Sequence, residues 1–187
     1  MLGRVTAEQP VLRLATAKHV DAIDALMKAS IASIFPRFYT AAQTAASVKY
    51  IGSVDRTLIE DGTYFVLEAG GEIVACGGWS RRDKLYTGSG EAAGDARLLE
   101  PATEPARVRA MFVRGDWTRR GLGTRILEAC ESAAREEGFR TLALVATLPG
   151  VLLYQRYGFL AGRDVTVTMP DGTTVAAVAM EKPVSGQ

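Results

Sequence analysis

Residues Met111 to Leu127 read MFVRGDWTRRGLGTRIL. The apolar and β-branched run up to Val113 predicts the end of a strand, and the stripe Leu122, Ile126, Leu127 and Cys130 predicts an amphipathic helix opening near Gly121. The loop between them carries Arg119, Arg120, Gly121, Leu122, Gly123 and Thr124. Glycines let a ligand approach the main chain closely, and the first N–H groups of a helix have no internal partner. With the positive helix end and adjacent arginines, such a loop suits a phosphate or pyrophosphate. The plain alternative is a tight strand-to-helix turn with solvated arginines. A Walker A loop is excluded because no Gly-Lys-Ser/Thr follows at the required spacing, and a dinucleotide GxGxxG fails at Ile126.

Outward from this stretch, a strand at Ala106 to Val113, a helix to about Glu137 and a strand at Thr141 to Ala146 form a βαβ unit. A short helix from about Pro149 to Arg156 precedes strands near Ala161 to Met169 and Thr173 to Glu181, joined by the turn Pro170, Asp171, Gly172. Upstream, Val11 to Ala15 reads as a first strand. Apolar residues at Val20, Ile23, Leu26, Met27, Ile31 and Ile34 then mark a helix from Thr16 to Phe35, ended by Pro36. Thr40 to Ile51 is a second helix with Gly52 after it. Thr63 to Ala69 and Glu72 to Ser80 read as a hairpin turned by Gly70 and Gly71. Residues Arg81 to Glu104, rich in Gly with few large apolar side chains, read as a long loop or lid. The expected fold class is a mixed α/β (α+β) single domain over residues 1–187.

The 187 residues carry 22 basic and 21 acidic side chains for a net charge of +1, which argues against general binding to nucleic acid or anionic membrane. Six arginines and one acid between residues 107 and 125 nevertheless give that segment a local charge of +5. Surface scaling at this size predicts that folding hides roughly 70% of the unfolded chain's area, so one core needs no disulfide or metal. One histidine, His19, and two cysteines, Cys76 and Cys130, exclude a four-ligand zinc site built from His and Cys alone, and no metal is expected. His19 reads as a helix-surface or packing residue. Widely spaced thiols without a secretory start point to a soluble cytoplasmic protein.

The loop and a second segment together resemble the GCN5-related N-acetyltransferase superfamily. The family's pyrophosphate motif, Q/R-x-x-G-x-G/A, falls on Thr118 to Gly123, with both glycines matching and Thr118 departing. Its Y-x-x-x-G-F ending falls on Tyr154, Gly158 and Phe159 within PGVLLYQRYGF. The detailed match covers about Ala106 to Phe159. The resemblance implies a mostly antiparallel central sheet with a splayed parallel strand pair and flanking helices. It also implies acetyl-CoA as acyl donor. Met111 and Val113, with Phe112 between them, would offer main-chain partners to the pantetheine arm. Arg120 to Thr124 would hold the pyrophosphate, with Arg119 or Arg120 supplying the cation that Thr118 does not. Tyr154 would be the general acid at the sulfur, with Tyr157 as a rival hydroxyl outside the motif.

The implied acceptor is a primary amine of a small molecule or peptide, attacking the thioester directly. Family members often carry a base on or near the central strand, where this chain has Arg107 and Arg109. Glu104, Glu68 or a water chain are therefore the candidates. Arg109 either pairs with an acidic group on the acceptor or is structural. Phe35, Trp79, Ile31, Phe38, Tyr39 and Tyr86 are candidates for the acceptor wall. A homodimer is what many relatives of this type form. The competing reading is a non-catalytic acyl-CoA-binding or regulatory module, which would need no Tyr154.

Overall fold

The structure, a computed structural model, describes residues 9–84 and 97–186. Its strands are β1 (Val11–Leu14), β2 (Tyr64–Ala69), β3 (Glu72–Ser80), β4 (Ala106–Val113), β5 (Thr141–Thr147), β6 (Leu160–Thr168) and β7 (Thr174–Pro183), in one sheet ordered β1-β2-β3-β4-β5-β7-β6. The helices are α1 (Val20–Ile34), α2 (Ala41–Tyr50), α3 (Arg56–Glu60), α4 (Leu122–Glu136) and α5 (Val151–Tyr157). Every strand pairing is antiparallel except β4 with β5. This is the mixed, mostly antiparallel architecture the sequence implied.

Local chemistry explains most boundaries. Thr40 caps α2 in a reciprocal box with Gln43, each side chain taking the other residue's main-chain N–H. The hairpin turn uses Gly70 and Gly71 at φ 58° and 79°, the left-handed pair that a two-residue hairpin requires. The start of the first helix departs from expectation. Ala17–His19 form a 3-10 turn, and the His19 Nδ1 accepts from the Thr16 N–H at 2.9 Å before α1 begins. The short helix α3, capped by Asp55 at the Thr57 N–H, has no counterpart in the sequence reading because five residues are too few to show a period. The expected loop at 81–104 is closed at its base by an antiparallel bridge between Arg82 and Leu98, and Leu99 is buried. Residues 85–96, with Tyr86, lie outside the described residues.

Two faces of the sheet are covered. On one, α4 buries Leu122, Ile126, Leu127, Cys130 and Ala134 against Ala75, Val108 and Leu144, and α5 adds Tyr154. Full burial of a side chain such as Ile126 or Leu127 stabilises the fold by about 1.5–3 kcal/mol. On the other face, α1 packs Ile23 and Met27 on Tyr64, Val66 and Cys76, while Ile31 and Phe35 join Val167, Val175 and Ala177.

One polar cluster ties α4, α5 and β7 together. Glu131 Oε1 accepts from Lys182 Nζ at 2.6 Å and the Ser185 N–H at 2.7 Å, and its Oε2 accepts from Tyr157 Oη at 2.6 Å. Burial pushes the Glu131 carboxyl up, but these three donors outweigh it and hold the group at about 2. A carboxyl depressed in the folded state adds stability that is complete above its unfolded value of about 4.3 and is lost as pH falls toward 2. Urea unfolding should therefore show stability declining between about pH 5 and 2, by an amount on the order of 2–3 kcal/mol from this group. Glu131→Gln should flatten that decline. At neutral pH the same substitution leaves Lys182 as an uncompensated buried charge and should cost about 3–5 kcal/mol.

Candidate active site

The parallel pairing of β4 with β5 extends only over Ala106 with Leu142 and Arg107 with Ala143. Beyond Arg107 the strands part, and a cleft of about 580 Å³ opens between them. Residues Val108 to Val113 form one wall and Val145 and Thr147 the other, with the start of α4 and Tyr154 on one side of the sheet and Ser30, Phe35 and Ile51 on the opposite side.

The divergence has a visible cause in β4. Cys76 pairs with Phe112 and Gly78 with Arg109, so Gly77 alone stands opposite both Ala110 and Met111. This is a β-bulge, which bends its strand and increases twist. Ala110 takes φ 57°, a left-handed conformation costing an alanine about 1–2 kcal/mol. Its carbonyl accepts from the fully buried Tyr64 Oη at 2.8 Å. Glycine suits the position opposite: a Cβ on Gly77 would displace Met111 Sδ and lie 2.8 Å from Ile126 Cγ2. Farther along, the Val113 carbonyl accepts from Ser30 Oγ at 3.0 Å. Met111, Phe112 and Val113 all line the cleft, half-buried.

At the α4 end, Arg119 and Gly121 both adopt left-handed conformations, at φ 62° and 76°. Gly121 is the N-cap, no side chain caps the helix, and the first intrahelical bond runs from the Arg125 N–H to the Gly121 carbonyl. The N–H groups of Leu122, Gly123 and Thr124 thus lack intrahelical acceptors at the positive end of a 15-residue helix, an arrangement that binds anions. The glycines divide the work differently from the sequence reading. Gly121 supplies the backbone angle, whereas Gly123 makes room for α5, since a Cβ there would lie 2.7 Å from Leu153 Cδ2.

Of the six arginines between 107 and 125, four are engaged inside the fold. Arg107 pairs with Asp83, Arg109 with Asp55, and Arg114 with Glu72 and Asp116, while Arg125 donates to the Pro10 carbonyl. Arg119 lines the cleft, and Arg120 sits 4.6 Å over the Trp117 ring rather than on the cleft wall. Neither has an ion-pair partner among the described residues. Arg156, two residues after Tyr154, joins Arg119 on the wall. Sequence reasoning passes over Arg156, although its place on the Tyr154 helix is the available signal.

Tyr154 is 9% exposed, edge-on to Phe159 at 5.8 Å, and lines the cleft. Burial pushes its phenol well above the usual range, with the Cys130 thiol adding to the effect, so it stays protonated at neutral pH. The rival Tyr157 is committed to Glu131. Both thiols are fully buried, and burial pushes Cys76 up to about 12 and Cys130 higher still, so neither presents a thiolate.

The acceptor residues separate. Phe35 lines the cleft, on the side opposite α4. Trp79 does not: it is 1% exposed and packs edge-on against Phe139 in the core under α4, because its place in β3 points it to that face. The Arg109 guanidinium is interior, 2.9 Å from Asp55. The two carboxylates considered as bases are also elsewhere. Glu68 pairs with Arg13 at 2.7 Å, and Glu104 pairs with Arg97 at 2.8 Å and accepts from the Glu100 N–H. Among the described residues, no carboxylate or imidazole lines the cleft, and no group of three or more metal-ligating side chains occurs. No helix among the described residues is long and apolar enough to cross a membrane.

Similar folds occur among solved structures. A GCN5-related N-acetyltransferase from Rhodopseudomonas palustris superposes with a TM-score of 0.72 at 19% identity, covering 97% of this chain and 99% of that one. The PaiA N-acetyltransferase from Thermoplasma acidophilum, determined in complex with coenzyme A, gives 0.65 at 11% identity, covering 93% and 98%. A ribosomal-protein-alanine N-acetyltransferase from Brucella melitensis gives 0.61 at 16% identity, covering 92% and 99%. These likenesses are of fold. Residues 28–159, which include both walls of the cleft, the start of α4 and Tyr154, match the acetyltransferase (GNAT) family, and the chain belongs to that family.

Proposed function

We propose that this acetyltransferase uses acetyl-CoA and transfers the acetyl group to a primary amine by direct attack, with Tyr154 as general acid. One coincidence carries the reading: the unpaired N–H groups of α4, the cations Arg119 and Arg156, and Tyr154 all line the gap between β4 and β5. Acetyl-CoA, when bound, supplies the activated carbonyl and a thiolate leaving group. Leu122, Gly123 and Thr124 hold its pyrophosphate through their N–H groups, with Arg119 adding charge. The β4 main chain past Arg107, left without a strand neighbour on the β5 side, pairs with the pantetheine arm through Met111 and Val113. Main-chain N–H groups of the splayed β4 would stabilise the charge that grows on the carbonyl oxygen.

Tyr154 holds its proton at Oη and delivers it toward sulfur. Its raised pKa makes it a weak donor, so its value lies in placement. A covalent acyl-cysteine route has no support, because both thiols are buried and protonated. With no carboxylate or imidazole on the wall among the described residues, the amine proton leaves through water.

Coenzyme A at about 100 times its Kd should stabilise the fold by about 2.7 kcal/mol, raising Tm by about 5–10 °C. Absence of a shift would refute the cofactor assignment. Gly121→Ala should cost about 1–2 kcal/mol in the free protein, because φ 76° suits an alanine poorly, and should shrink the coenzyme A shift. Tyr154→Phe should keep the shift and lower kcat by about 10²–10⁴ without changing the shape of the neutral pH–rate profile. Undiminished turnover in that variant would remove the acid role and leave the cofactor assignment standing.

A further inference from the structure

The side of the cleft opposite α4 has a chemistry of its own. Phe35 and Val167, with Phe112, Val145 and Ile51 packed beside them, belong to one apolar cluster on the α1 and α2 face of the sheet, and Ile34 extends it along the cleft wall. Tyr154 and the start of α4 belong to a different cluster on the other face. The gap in the sheet is where the two meet. The apolar side is preformed: Tyr39 Oη donates to the Ala176 carbonyl at 2.7 Å and accepts from the Leu148 N–H at 2.8 Å, pinning the α1–α2 junction to β7 and to the end of β5.

Charge on the wall narrows the choice of occupant. The charged residues lining the cleft among the described residues are Arg109, whose guanidinium is turned into the interior, and Arg119 and Arg156, all cationic. Arg109 is ion-paired with Asp55, while Arg119 stands in the loop that leads into α4 and Arg156 on α5, so the two cations without an ion pair among the described residues belong to the α4 face and not to the apolar side. A polycationic acceptor would meet like charge and no carboxylate. An acidic acceptor seated on the apolar side would have to bury its carboxylate against aliphatic and aromatic carbon, away from Arg119 and Arg156, a costly transfer without a paired cation.

Building on the function proposed above, we infer that the acceptor is a small monoamine whose body next to the nitrogen is apolar, seated against Phe35, Ile51 and Phe112, rather than a polyamine or an amino acid with a free carboxylate. The cleft of about 580 Å³ has to hold the reacting end of acetyl-CoA as well, which favours a small acceptor. Desolvation at such a wall disfavours the ammonium form and so helps to deliver the neutral amine that attack requires. That assistance matters in a cleft without a carboxylate base among its described residues.

Three acceptors of one chain length isolate the far-end group: hexylamine, hexamethylenediamine and aminocaproate, assayed by thiol release from acetyl-CoA. Hexylamine should exceed the other two in kcat/KM by on the order of 10²-fold, the discrimination expected when a charged group must enter an apolar site. Ile51→Asp should lower kcat/KM for hexylamine about tenfold and raise it for the diamine, while the thermal shift with coenzyme A persists because α4 lies across the sheet. Ile34→Asp, also half-buried, serves if the first variant does not fold. Preference for the diamine or for aminocaproate, or no turnover of hexylamine by protein that coenzyme A stabilises, overturns the acceptor class and leaves the proposed function intact. Loss of the coenzyme A shift in the wild type would instead fell the proposed function, and this inference with it.

Discussion

The site depends on two parallel strands being unable to stay together. β5 is committed to β7 along its whole length, from Thr141 opposite Pro183 to Thr147 opposite Ala177. β4 is committed to β3 and turns at the bulge where Gly77 faces both Ala110 and Met111. After Ala106 and Arg107 the pairing of β4 with β5 ends, as β4 turns at its bulge while β5 stays in register with β7. The sheet therefore opens in its interior rather than at an edge, and main chain that would otherwise be hidden lines a cleft. The left-handed Ala110 is the local cost, offset by the Tyr64 hydroxyl on its carbonyl and by a neighbouring residue with no Cβ.

What borders the gap is held rigidly by contacts away from it. Gly123 brings α4 and α5 together so closely that Leu153 occupies the volume of a missing Cβ. Glu131, on the buried side of α4, fixes Tyr157 of α5 and Lys182 of β7 at once. The helix end suited to an anion and the helix carrying Tyr154 thus form one packed unit. Neither Glu131 nor Lys182 lines the cleft. Their contribution is to fix the place of groups that do, which is what packed second layers supply to reacting groups.

Legibility in the sequence follows the range of the interaction. The α4 stripe, the hairpin at Gly70 and Gly71, and the spacing of Tyr154, Gly158 and Phe159 are local patterns, and each lies where the sequence places it. The bulge is hidden because it is a mismatch between two strands, which neither strand displays alone. The local charge of +5 suggests a field around the phosphate loop, but Asp83, Asp55 and Glu72 come from distant segments and neutralise three of its arginines. Trp79, expected on an acceptor wall, lies in the core instead. Strand alternation decides its face, and the bulge that sets which residues reach the cleft is not visible from β3.

The magnitudes indicate where catalytic power comes from in a cleft of this kind. A positioned acid contributes about 10²–10⁴, or roughly 3–5 kcal/mol, and a phenol raised by burial belongs at the weaker end of that range. Holding two reactants in line supplies up to about 7–11 kcal/mol. The described wall offers no carboxylate, no imidazole and no thiolate, but it offers an anchoring helix end on one face of the sheet and an apolar seat on the other. On the proposed reading those two features bring the partners together from opposite sides of the same opening. On the proposed mechanism juxtaposition across the gap outweighs proton donation by Tyr154, and the parting of β4 from β5 is what makes that juxtaposition possible.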